Sequence, residues 1–554
     1  MTNTFRIALA QLNPTMGDIA GNLRKARAAR AVAAKAEADL VLFSELFIVG
    51  YPPEDLVLKP ALQSDAREAI EKFAKDTADG GPAVLIGAPW VEDEKLYNAV
   101  LLLDEGCVAA KSFKVDLPNY GVFDEKRVFT SGPMPKPFDI RGLRVGVPIC
   151  EDIWTPAVVK CLAETGGEIL LVPNGSPFEV GKEDARLDLV AARVTEAGKP
   201  LVYLNQVGGQ DELVFDGASL VVNADRSVAV TLPAWEEKIA ITDWSRKGER
   251  WVCVSGEHAP VETREESVYH AMMLGLRDYV NKNRFPGVVL GLSGGIDSAL
   301  SAAVAADALG PERVHCVMLP SRYTSQESLD DAEECAKLLG VKYETVPIEG
   351  AVEAFTAALQ PTFAGKAVDT TEENVQSRIR GVILMAISNK FGPMVLTTGN
   401  KSEMSVGYAT LYGDMCGGYN VLKDVYKTEV FRLSHWRNAN HPHGSLGPNG
   451  RVIPERIITK PPSAELRENQ KDQDSLPPYD ILDGILACLI EKEMAFEDVV
   501  ARGYDPATVR RVEHLLYGAE YKRRQAPPGV KITSRNFGRD RRYPITNAFR
   551  DARE

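Results

Sequence analysis

The first half of the chain alternates between short apolar runs and stretches with helical spacing. Phe5–Ala10 alternates apolar and polar residues as a strand does, Asn22–Ala38 repeats apolar residues at helical intervals, and Leu40–Phe43 is a continuous apolar run. Further runs predict additional strands at 84–87, 99–103, 111–114, 145–149 and 169–172. Strands that alternate with helices indicate a layered α/β domain.

A second alternating series follows a helical stretch at 268–281. The run Val288–Leu290 predicts a strand that breaks into a glycine-rich turn at 291–298, and an alanine-rich helix follows the turn. Later strands are predicted at 314–319, 341–346 and 395–398, with helices at 327–339 and 371–391. This order predicts a doubly wound parallel sheet, in which ligands bind at the carboxyl ends of the strands. Tyr479–Ile490 is apolar at helical spacing and is interpreted as a core helix.

Between these halves the periodicity fades, from Asp243 to Glu266, and Gly248, Gly256 and Pro260 interrupt the stretch. A chain of 554 residues is also too long for a single core. We therefore predict one domain at 1–246, a linker at 247–260 and a second domain at 261–554.

Composition narrows the possible partners. Hydrophobic residues make up 45% and charged residues 25% of the chain, as in an ordinary soluble protein. The net charge of −13 argues against general binding to nucleic acid or to anionic membranes, so a phosphate ligand must meet a local basic cluster. No apolar run has membrane-spanning length, and Met1–Gln11 lacks the layout of a signal peptide. Eight scattered cysteines without a CxxC pair favour a reducing cytoplasm.

The glycine-rich turn has the chemistry of a phosphate site. A strand, a glycine turn and a helix N-terminus direct free N–H groups and the positive helix dipole toward one point. Ser293 and Ser298 add hydroxyl groups, and Asp297 adds a hard oxygen ligand for Mg²⁺. The turn lacks the lysine of a P-loop and is not GxGxxG. It resembles the SGGxDS loop of ATP pyrophosphatases, which cleave ATP between the α and β phosphates. The alternative is an ordinary turn into a packing helix.

Three reactive side chains lie where predicted strands of the first half end: Glu45, Lys114 and Cys150. A cysteine is a good nucleophile, a buried carboxylate can carry the proton of the thiol, and an ammonium can neutralise an oxyanion. Together they form a set that can transfer an acyl group without histidine. Taken singly, such a glutamate is more often solvated and such a cysteine more often lies in the core.

The sequence motifs around these residues, at 43–46, 114–120 and 149–154, resemble the three signatures of the nitrilase superfamily in chain order. The resemblance implies an α-β-β-α sandwich, with Glu45 as general base and acid, Lys114 as oxyanion stabiliser and Cys150 as the nucleophile that forms a thioester. It also implies contacts to glutamine from Tyr120, Glu151, Ser176 and Lys182, although Lys182 could equally be an ordinary surface lysine.

In the second half, six sequence motifs resemble those of the NAD synthetase family in its glutamine-dependent form. They lie at 319–325, 373–381, 398–403, 411–415, 423–428 and 462–466. The fold implied is that of the adenine nucleotide α-hydrolases. The residues implied for ATP are Gly291, Leu292, Ser293, Gly294, Gly295, Ile296, Asp297, Ser298, Thr398 and Lys427. Those implied for deamido-NAD⁺ are Asn374, Glu403 and Lys522, and those for Mg²⁺ are Asp297 and Glu403. The family also suggests a homo-oligomer.

The fusion predicts that glutamine is hydrolysed at one site and that its nitrogen passes to deamido-NAD⁺, activated by ATP, at the other. The substrates expected are L-glutamine, ATP and deamido-NAD⁺. Three alternatives stay open: an amide hydrolase with a nucleotide-sensing domain, an amidotransferase for another carboxylate, and a non-enzymatic scaffold. A basic stretch at 522–542 is expected to contact the dinucleotide at its start, through Lys522 and Arg523, and otherwise to be a solvated or partner-binding tail.

Overall fold

The computed structural model describes residues 3–254 and 256–551. Residues 1, 2 and 552–554, at the ends of the two predicted domains, and residue 255, within the predicted linker, lie outside the described residues. The chain divides into two compact units, Met1–Glu262 and Thr263–Glu554. In the described part of the chain, no helix combines the length and the apolar character that crossing a membrane requires.

The helices of the first unit lie among strands before residue 198, and only strands follow in its described residues. Its elements are β1 Thr4–Gln11, α1 Ile19–Lys35, β2 Leu40–Phe43, α2 Pro60–Asp76, β3 Ala83–Glu92, β4 Lys95–Asp104, β5 Cys107–Phe113, β6 Phe138–Ile140, β7 Leu143–Gly146, α3 Pro156–Glu164, β8 Ile169–Asn174, α4 Lys182–Ala197, β9 Leu201–Asn205, β10 Val207–Gln210, β11 Leu213–Asp216, β12 Leu220–Val222, β13 Val228–Thr231, β14 Lys238–Lys247 and β15 Arg250–Cys253.

Two mixed sheets stack face to face in this unit. One has the order β15-β14-β1-β2-β3-β4-β5 and the other β13-β12-β9-β8-β7-β6, while β10 and β11 form a separate hairpin. Strand β2 explains the layering: Leu40 and Leu42 belong to the core between the sheets, whereas Val41 and Phe43 pack with residues of α1 and α2. Alternate side chains of a strand point to opposite faces, so a strand covered on both faces is apolar throughout. Helices α3 and α4 cover the other sheet, which confirms the predicted sandwich.

Two stretches of this unit differ from their sequence-based description. The strand predicted at 145–149 ends at Gly146, and a single 3₁₀ turn begins at Cys150. The predicted linker at 247–260 includes β15, which pairs antiparallel with β14 and buries Trp251. Glycine and charged residues flank this short strand, so its alternation is too brief to show in the pattern.

The second unit begins with a long helix and adds a helical region after its sheet. Its elements are α5 Arg264–Lys282, β16 Val288–Gly291, α6 Ile296–Leu309, β17 Val314–Met318, α7 Gln326–Leu339, β18 Lys342–Thr345, α8 Glu349–Leu359, α9 Thr370–Phe391, β19 Met394–Thr397, α10 Lys401–Val406, β20 Tyr419–Asn420, α11 Lys427–Ala439, α12 Glu455–Thr459, α13 Tyr479–Ile490, α14 Phe496–Ala501, α15 Pro506–Gly518 and α16 Glu520–Arg523.

The sheet of this unit has the order β18-β17-β16-β19-β20, and every adjacent pair is parallel. The strand order reverses at β16, from which the chain first proceeds to β17 and β18 and later returns on the other side to β19. The prediction of a doubly wound parallel sheet is therefore confirmed. A crevice opens at such a reversal, beyond the carboxyl ends of the strands.

Candidate functional site

In the first unit the ends of two strands bring together a buried group of charges. The Lys114 ammonium, just after β5, lies 2.7 Å from Glu45 Oε1 and 2.9 Å from Glu125 Oε1. The side chains of Lys114 and Glu45 have no exposed area. One ammonium thus pairs with two carboxylates that have little or no contact with water, and burial raises the pKa of Glu125.

Several donors fix the Glu45 carboxylate. Asn98 Nδ2 donates to its Oε1 at 2.7 Å, and the backbone N–H of Gly175 donates to its Oε2 at 2.9 Å. Position 175 must be glycine, because a Cβ atom there would lie 2.6 Å from the Tyr51 ring. The Tyr51 hydroxyl donates to Glu125 at 2.8 Å. Because both oxygens of Glu45 accept hydrogen bonds, its carboxylate is held in one orientation, as a proton carrier needs.

Cys150 lies at the start of its 3₁₀ turn with φ +46°, a left-handed conformation that is uncommon for cysteine. The Asp152 carboxylate, two residues later, accepts N–H bonds from Ile149 at 2.9 Å, Val115 at 2.9 Å and Asp116 at 2.8 Å. One carboxylate therefore joins the turn that carries Cys150 to the segment that follows Lys114.

The environment of Cys150 keeps its thiol protonated. Burial raises the pKa of Cys150 well above its usual value, and the charge of Glu45 raises it further, while Lys114 opposes both. Burial lowers the pKa of Lys114, but Glu125 and Glu45 outweigh it and the pKa lies well above the usual value. The resting pair is thus a thiol and an ammonium, so a nucleophilic thiolate requires a base beside it.

The residues predicted to hold glutamine include both exposed and buried side chains. The Tyr120 hydroxyl lies 3.0 Å from both carboxylate oxygens of Glu151, and Tyr120 is 53% exposed. Burial raises the pKa of Glu151, whereas the charge of Lys182 lowers it. The Lys182 ammonium is 5.8 Å from the ring of Phe123. Ser176 is buried and donates its N–H to Asn205 Oδ1 at 2.9 Å.

Sequence reasoning missed four residues of this group: Tyr51, Asn98, Glu125 and Asp152. Asp152 lies in the same motif as Cys150, at 149–154, so the sequence could have indicated it. Glu125 begins a three-residue 3₁₀ turn eleven residues after Lys114, which is too short for any periodicity to select it. Only the fold brings it to the ammonium.

In the second unit a cavity of about 320 Å³ lies at the carboxyl ends of β16, β17 and β19. The glycine turn forms one wall, and Ser298 Oγ binds it together by accepting the N–H of Ser293 at 3.2 Å and donating to Gly295 O at 2.9 Å. Gly294 has φ +76°, and a Cβ there would lie 2.4 Å from the carbonyl oxygen of Ser328. Only glycine fits this approach of the turn to α7.

A second group of charges faces this cavity. The Lys427 ammonium contacts Asp297 Oδ2 and lies 3.1 Å from Glu403 Oε1. Asn400 Nδ2 donates to the other Asp297 oxygen at 2.9 Å. Burial raises the pKa of Glu403 to about 7, although Lys427 lowers it. Both residues predicted as metal ligands are therefore together, with an ammonium between them.

A third carboxylate, Asp472, belongs to the same wall and was not predicted. The Tyr479 hydroxyl donates to it at 2.8 Å and lies 3.5 Å from Glu403 Oε1. Tyr479 is the first residue of α13, the helix interpreted from its pattern as core. That interpretation holds for its buried leucines and isoleucines but omits the hydroxyl at its N-terminus.

The remaining predicted residues fall into two places. Thr398 and residues 291–293 and 295–298 line the cavity. Asn374 and Lys522 flank it instead: Asn374 Oδ1 accepts from Thr410 Oγ1 at 2.8 Å, and the Lys522 ammonium donates to the carbonyl oxygens of Gly407 and Ala409, both at 2.8 Å.

The expectation that Arg523 reaches a dinucleotide is not met. Its guanidinium is buried, donates to the carbonyl oxygens of Ser405 and Leu516, and pairs with Glu520 at 2.7 Å. Arg541, farther along the basic stretch, also pairs with Glu520, at 3.0 Å. These two arginines hold α16 and the segment after it in place.

Comparison with known proteins covers both units. The family model described as carbon-nitrogen hydrolase matches residues 6–250, and the model described as NAD synthase matches residues 268–526. A glutamine-dependent NAD(+) synthetase of Rhodobacter capsulatus is 55% identical over 551 residues, covering 100% of both chains. One from Xanthomonas campestris is 49% identical over 99% of this chain and 98% of its own length. The solved structure of the Acinetobacter baumannii glutamine-dependent NAD+ synthetase with ADP has a TM-score of 0.79 and 43% identity, covering 99% of this chain and 100% of that one.

Proposed function

Because this chain belongs to the glutamine-dependent NAD(+) synthetase family, we propose how its residues divide the reaction between two sites. The reaction is a ligation: L-glutamine, ATP, deamido-NAD⁺ and water give L-glutamate, AMP, diphosphate and NAD⁺. The first unit releases ammonia from glutamine, and the second activates deamido-NAD⁺ with ATP and joins the nitrogen to it.

In the first unit, the Cys150 thiol attacks the amide carbon of glutamine and gives its proton to Glu45. The Lys114 ammonium stabilises the oxyanion, and Glu45 then returns the proton to the departing ammonia. Water, deprotonated by Glu45, hydrolyses the glutamyl thioester. The observation that carries this assignment is the single-oriented Glu45 carboxylate, held by Lys114, Asn98 and Gly175, beside a thiol that stays protonated at rest.

Glutamine recognition is assigned to the open side of the same group. Its α-ammonium meets Glu151, oriented by Tyr120, and its α-carboxylate meets Lys182, while Ser176 lines the inner wall. This arrangement pairs each charged end of the amino acid with an opposite charge. Glu125 keeps Lys114 directed inward and shares the ammonium with Glu45.

In the second unit, the N–H groups at 291–298 bind the ATP phosphates and Thr398 borders the nucleotide. The nicotinate carboxylate of deamido-NAD⁺ attacks the α-phosphate, and diphosphate leaves toward the glycine turn. Ammonia then attacks the adenylate and releases AMP. Asn374, Glu403 and Lys522 are assigned to the side where deamido-NAD⁺ enters, and Lys427 to the triphosphate.

Mg²⁺ fits this cavity. Asp297 and Glu403 offer hard carboxylate oxygens on the same wall, and a cation, the Lys427 ammonium, already lies between them. We assign Asp297 and Glu403 as the residues that would hold the ion. When bound, Mg²⁺ offsets the repulsion between the two reacting anions, the carboxylate and the phosphate.

Ammonia made at one site must reach the other before water protonates it, so we propose that it passes through the protein. The test is turnover with unlabelled glutamine in the presence of ¹⁵N-ammonium. Little ¹⁵N is expected in the NAD⁺ formed, and free competition by external ammonium would refute internal passage.

Two further properties are proposed. All eight cysteines lie in the described residues and are free, which supports a reducing cytoplasm.

A homo-oligomer is supported by α8, an apolar helix with no buried residue, and by the exposed Phe355 and Val382 on α8 and α9. Phe355→Asp is expected to lower the molar mass measured by light scattering.

The assignment of function is tested by omitting one substrate at a time. NAD⁺, AMP and diphosphate should form together when glutamine, ATP and deamido-NAD⁺ are all present. A nucleotide sensor would release glutamate without forming AMP. An amidotransferase for another carboxylate would form AMP only after that acid replaces deamido-NAD⁺.

A further inference from the structure

The ammonium of Lys427 occupies the place between carboxylates that a metal ion would need. It contacts Asp297 Oδ2 and lies 3.1 Å from Glu403 Oε1, and its side chain is 2% exposed. These are the same two residues that we assign to Mg²⁺, so this inference rests on the proposed ATP site.

The backbone of Lys427 is fixed, which leaves its side chain as the mobile part. Lys427 is the first residue of α11, and its N–H donates to Ser402 Oγ at 2.8 Å. The N–H of the next residue, Thr428, donates to Asp483 Oδ2 at 2.9 Å. The ammonium can therefore move only by rotating its own side chain, away from Asp297 and toward the cavity that it lines.

An ammonium and a divalent cation cannot share these oxygens. Mg²⁺ binds carboxylate oxygens at about 2.1 Å, which would place it close to the ammonium nitrogen. Like charges that close together repel strongly, even near a protein surface. Metal entry therefore requires the ammonium to leave.

The ammonium cannot leave without another anion to receive it. Lys427 is buried, and an unpaired buried cation is costly. Asp472 is a further acidic group whose charge acts on it, but Asp472 faces the same wall and accepts the Tyr479 hydroxyl. Lys427 and the glycine turn line the same cavity, so phosphates of ATP bound at the turn would supply such an anion.

We propose that Lys427 is the resident cation of the ligand-free site, and that a metal ion displaces it only when nucleotide phosphates take over its charge. Metal and nucleotide then bind as a pair. Asp297 and Glu403 exchange an ammonium for a metal ion, and the phosphates gain the ammonium. Between turnovers the ammonium offsets the charge of one of the two carboxylates that it contacts.

Mn²⁺ in place of Mg²⁺ tests this exchange, because free Mn²⁺ is counted directly by its paramagnetic resonance signal. With the full chain and no nucleotide, Lys427→Met is expected to bind Mn²⁺ at least about tenfold more tightly than the unaltered protein. Lys460→Met is the matched control: it removes another lysine of the same cavity, whose ammonium contacts Ser328 and Asp331, and should leave the affinity unchanged.

Two further measurements make the result decisive. Adding α,β-methylene-ATP to the unaltered protein should create one bound Mn²⁺ per chain beyond that held by free nucleotide. Adding Asp297→Asn to Lys427→Met should remove the gained affinity. If the unaltered protein binds Mn²⁺ as tightly without α,β-methylene-ATP as with it, the exchange is refuted, and this comparison does not depend on the folding of any variant. If Asp297→Asn leaves the affinity unchanged, the assignment of the metal ligands is refuted as well.

Discussion

The two candidate sites use similar charged residues, but one group of charges is buried and the other lines an open cavity. In the first unit Glu45 and Lys114 have no exposed side-chain area, and every charge has a partner within 2.7–2.9 Å. In the second, Asp297, Glu403 and Lys427 line an open cavity of about 320 Å³ and pair with one another. By our proposal, the closed site can act as soon as an amide enters, whereas the open site exchanges its ion pairs for those of its substrates. Charges can thus be paired and buried before the substrate binds where the reacting end of the substrate is small and uncharged, as an amide is.

The largest effect should come from separating the two sites chemically. Cys150→Ala is expected to lower NAD⁺ synthesis from glutamine by at least about 10³-fold, because it removes the nucleophile. Synthesis from ammonium salts should persist, since the ATP cavity is untouched. Cys161→Ala, a half-buried cysteine of α3, is the matched control and should preserve both activities. Loss of both activities in Cys150→Ala would contradict the division of labour.

The reciprocal change is Asp297→Ala. It removes one of the two carboxylates that we assign to the metal ion and is expected to lower NAD⁺ formation by about 10²-fold or more, with either nitrogen source. The glutamyl thioester should still form at Cys150, and mass spectrometry after an acid quench can detect it. Failure to acylate would mean that the closed site is not complete by itself.

A smaller effect tests whether the buried charges of the first unit act together. Glu125→Gln preserves shape but leaves Lys114 with one carboxylate, and we expect kcat for glutamine hydrolysis to fall by about 10²-fold with little change in KM. Glu71→Gln, on the surface of α2, makes the same chemical change and should have no effect on kcat. An unchanged kcat in Glu125→Gln would show that Glu125 has no part in catalysis.

The smallest expected effect concerns pH. Burial, and after it the charge of Glu45, raises the pKa of the Cys150 thiol, so alkylation by iodoacetamide should still accelerate above pH 9, the usual thiol pKa. Glu45→Gln removes the negative charge that disfavours the thiolate, and its alkylation profile should shift to lower pH. The extent of reaction at each pH is measured on the peptide that contains Cys150. A shift to higher pH would mean that Glu45 does not destabilise the thiolate.

The sequence predicted those parts of the molecule that local patterns encode. Leu40–Phe43 and Val288–Leu290 were found because continuous apolar runs mark strands covered on both faces. The residues Glu45 and Ser293 were found because they follow such strands, where parallel and mixed sheets gather their functional groups. Strand ends therefore located both candidate sites before any tertiary contact was known.

The parts that escaped prediction depend on contacts distant in sequence. Glu125 and Asp472 begin short 3₁₀ turns that leave no periodic signal. Their candidate roles depend on Lys114 and Glu403, which only the folded chain brings near. The hydroxyl of Tyr479 was missed because this residue begins a helix whose apolar pattern indicated only a core role. The opposite case is Arg523, whose place in a basic stretch suggested a ligand although its donors serve the backbone around it.

The tight packing at Gly175 also bears on how such a glutaminase could acquire new substrates. Any side chain at this position would collide with the Tyr51 ring and press on the Glu45 carboxylate, so this wall is closed to evolutionary change. Tyr120, which is more than half exposed, is free of that constraint. Variants that accept amides longer or shorter than glutamine should therefore arise by substitution around Tyr120, while position 175 stays fixed.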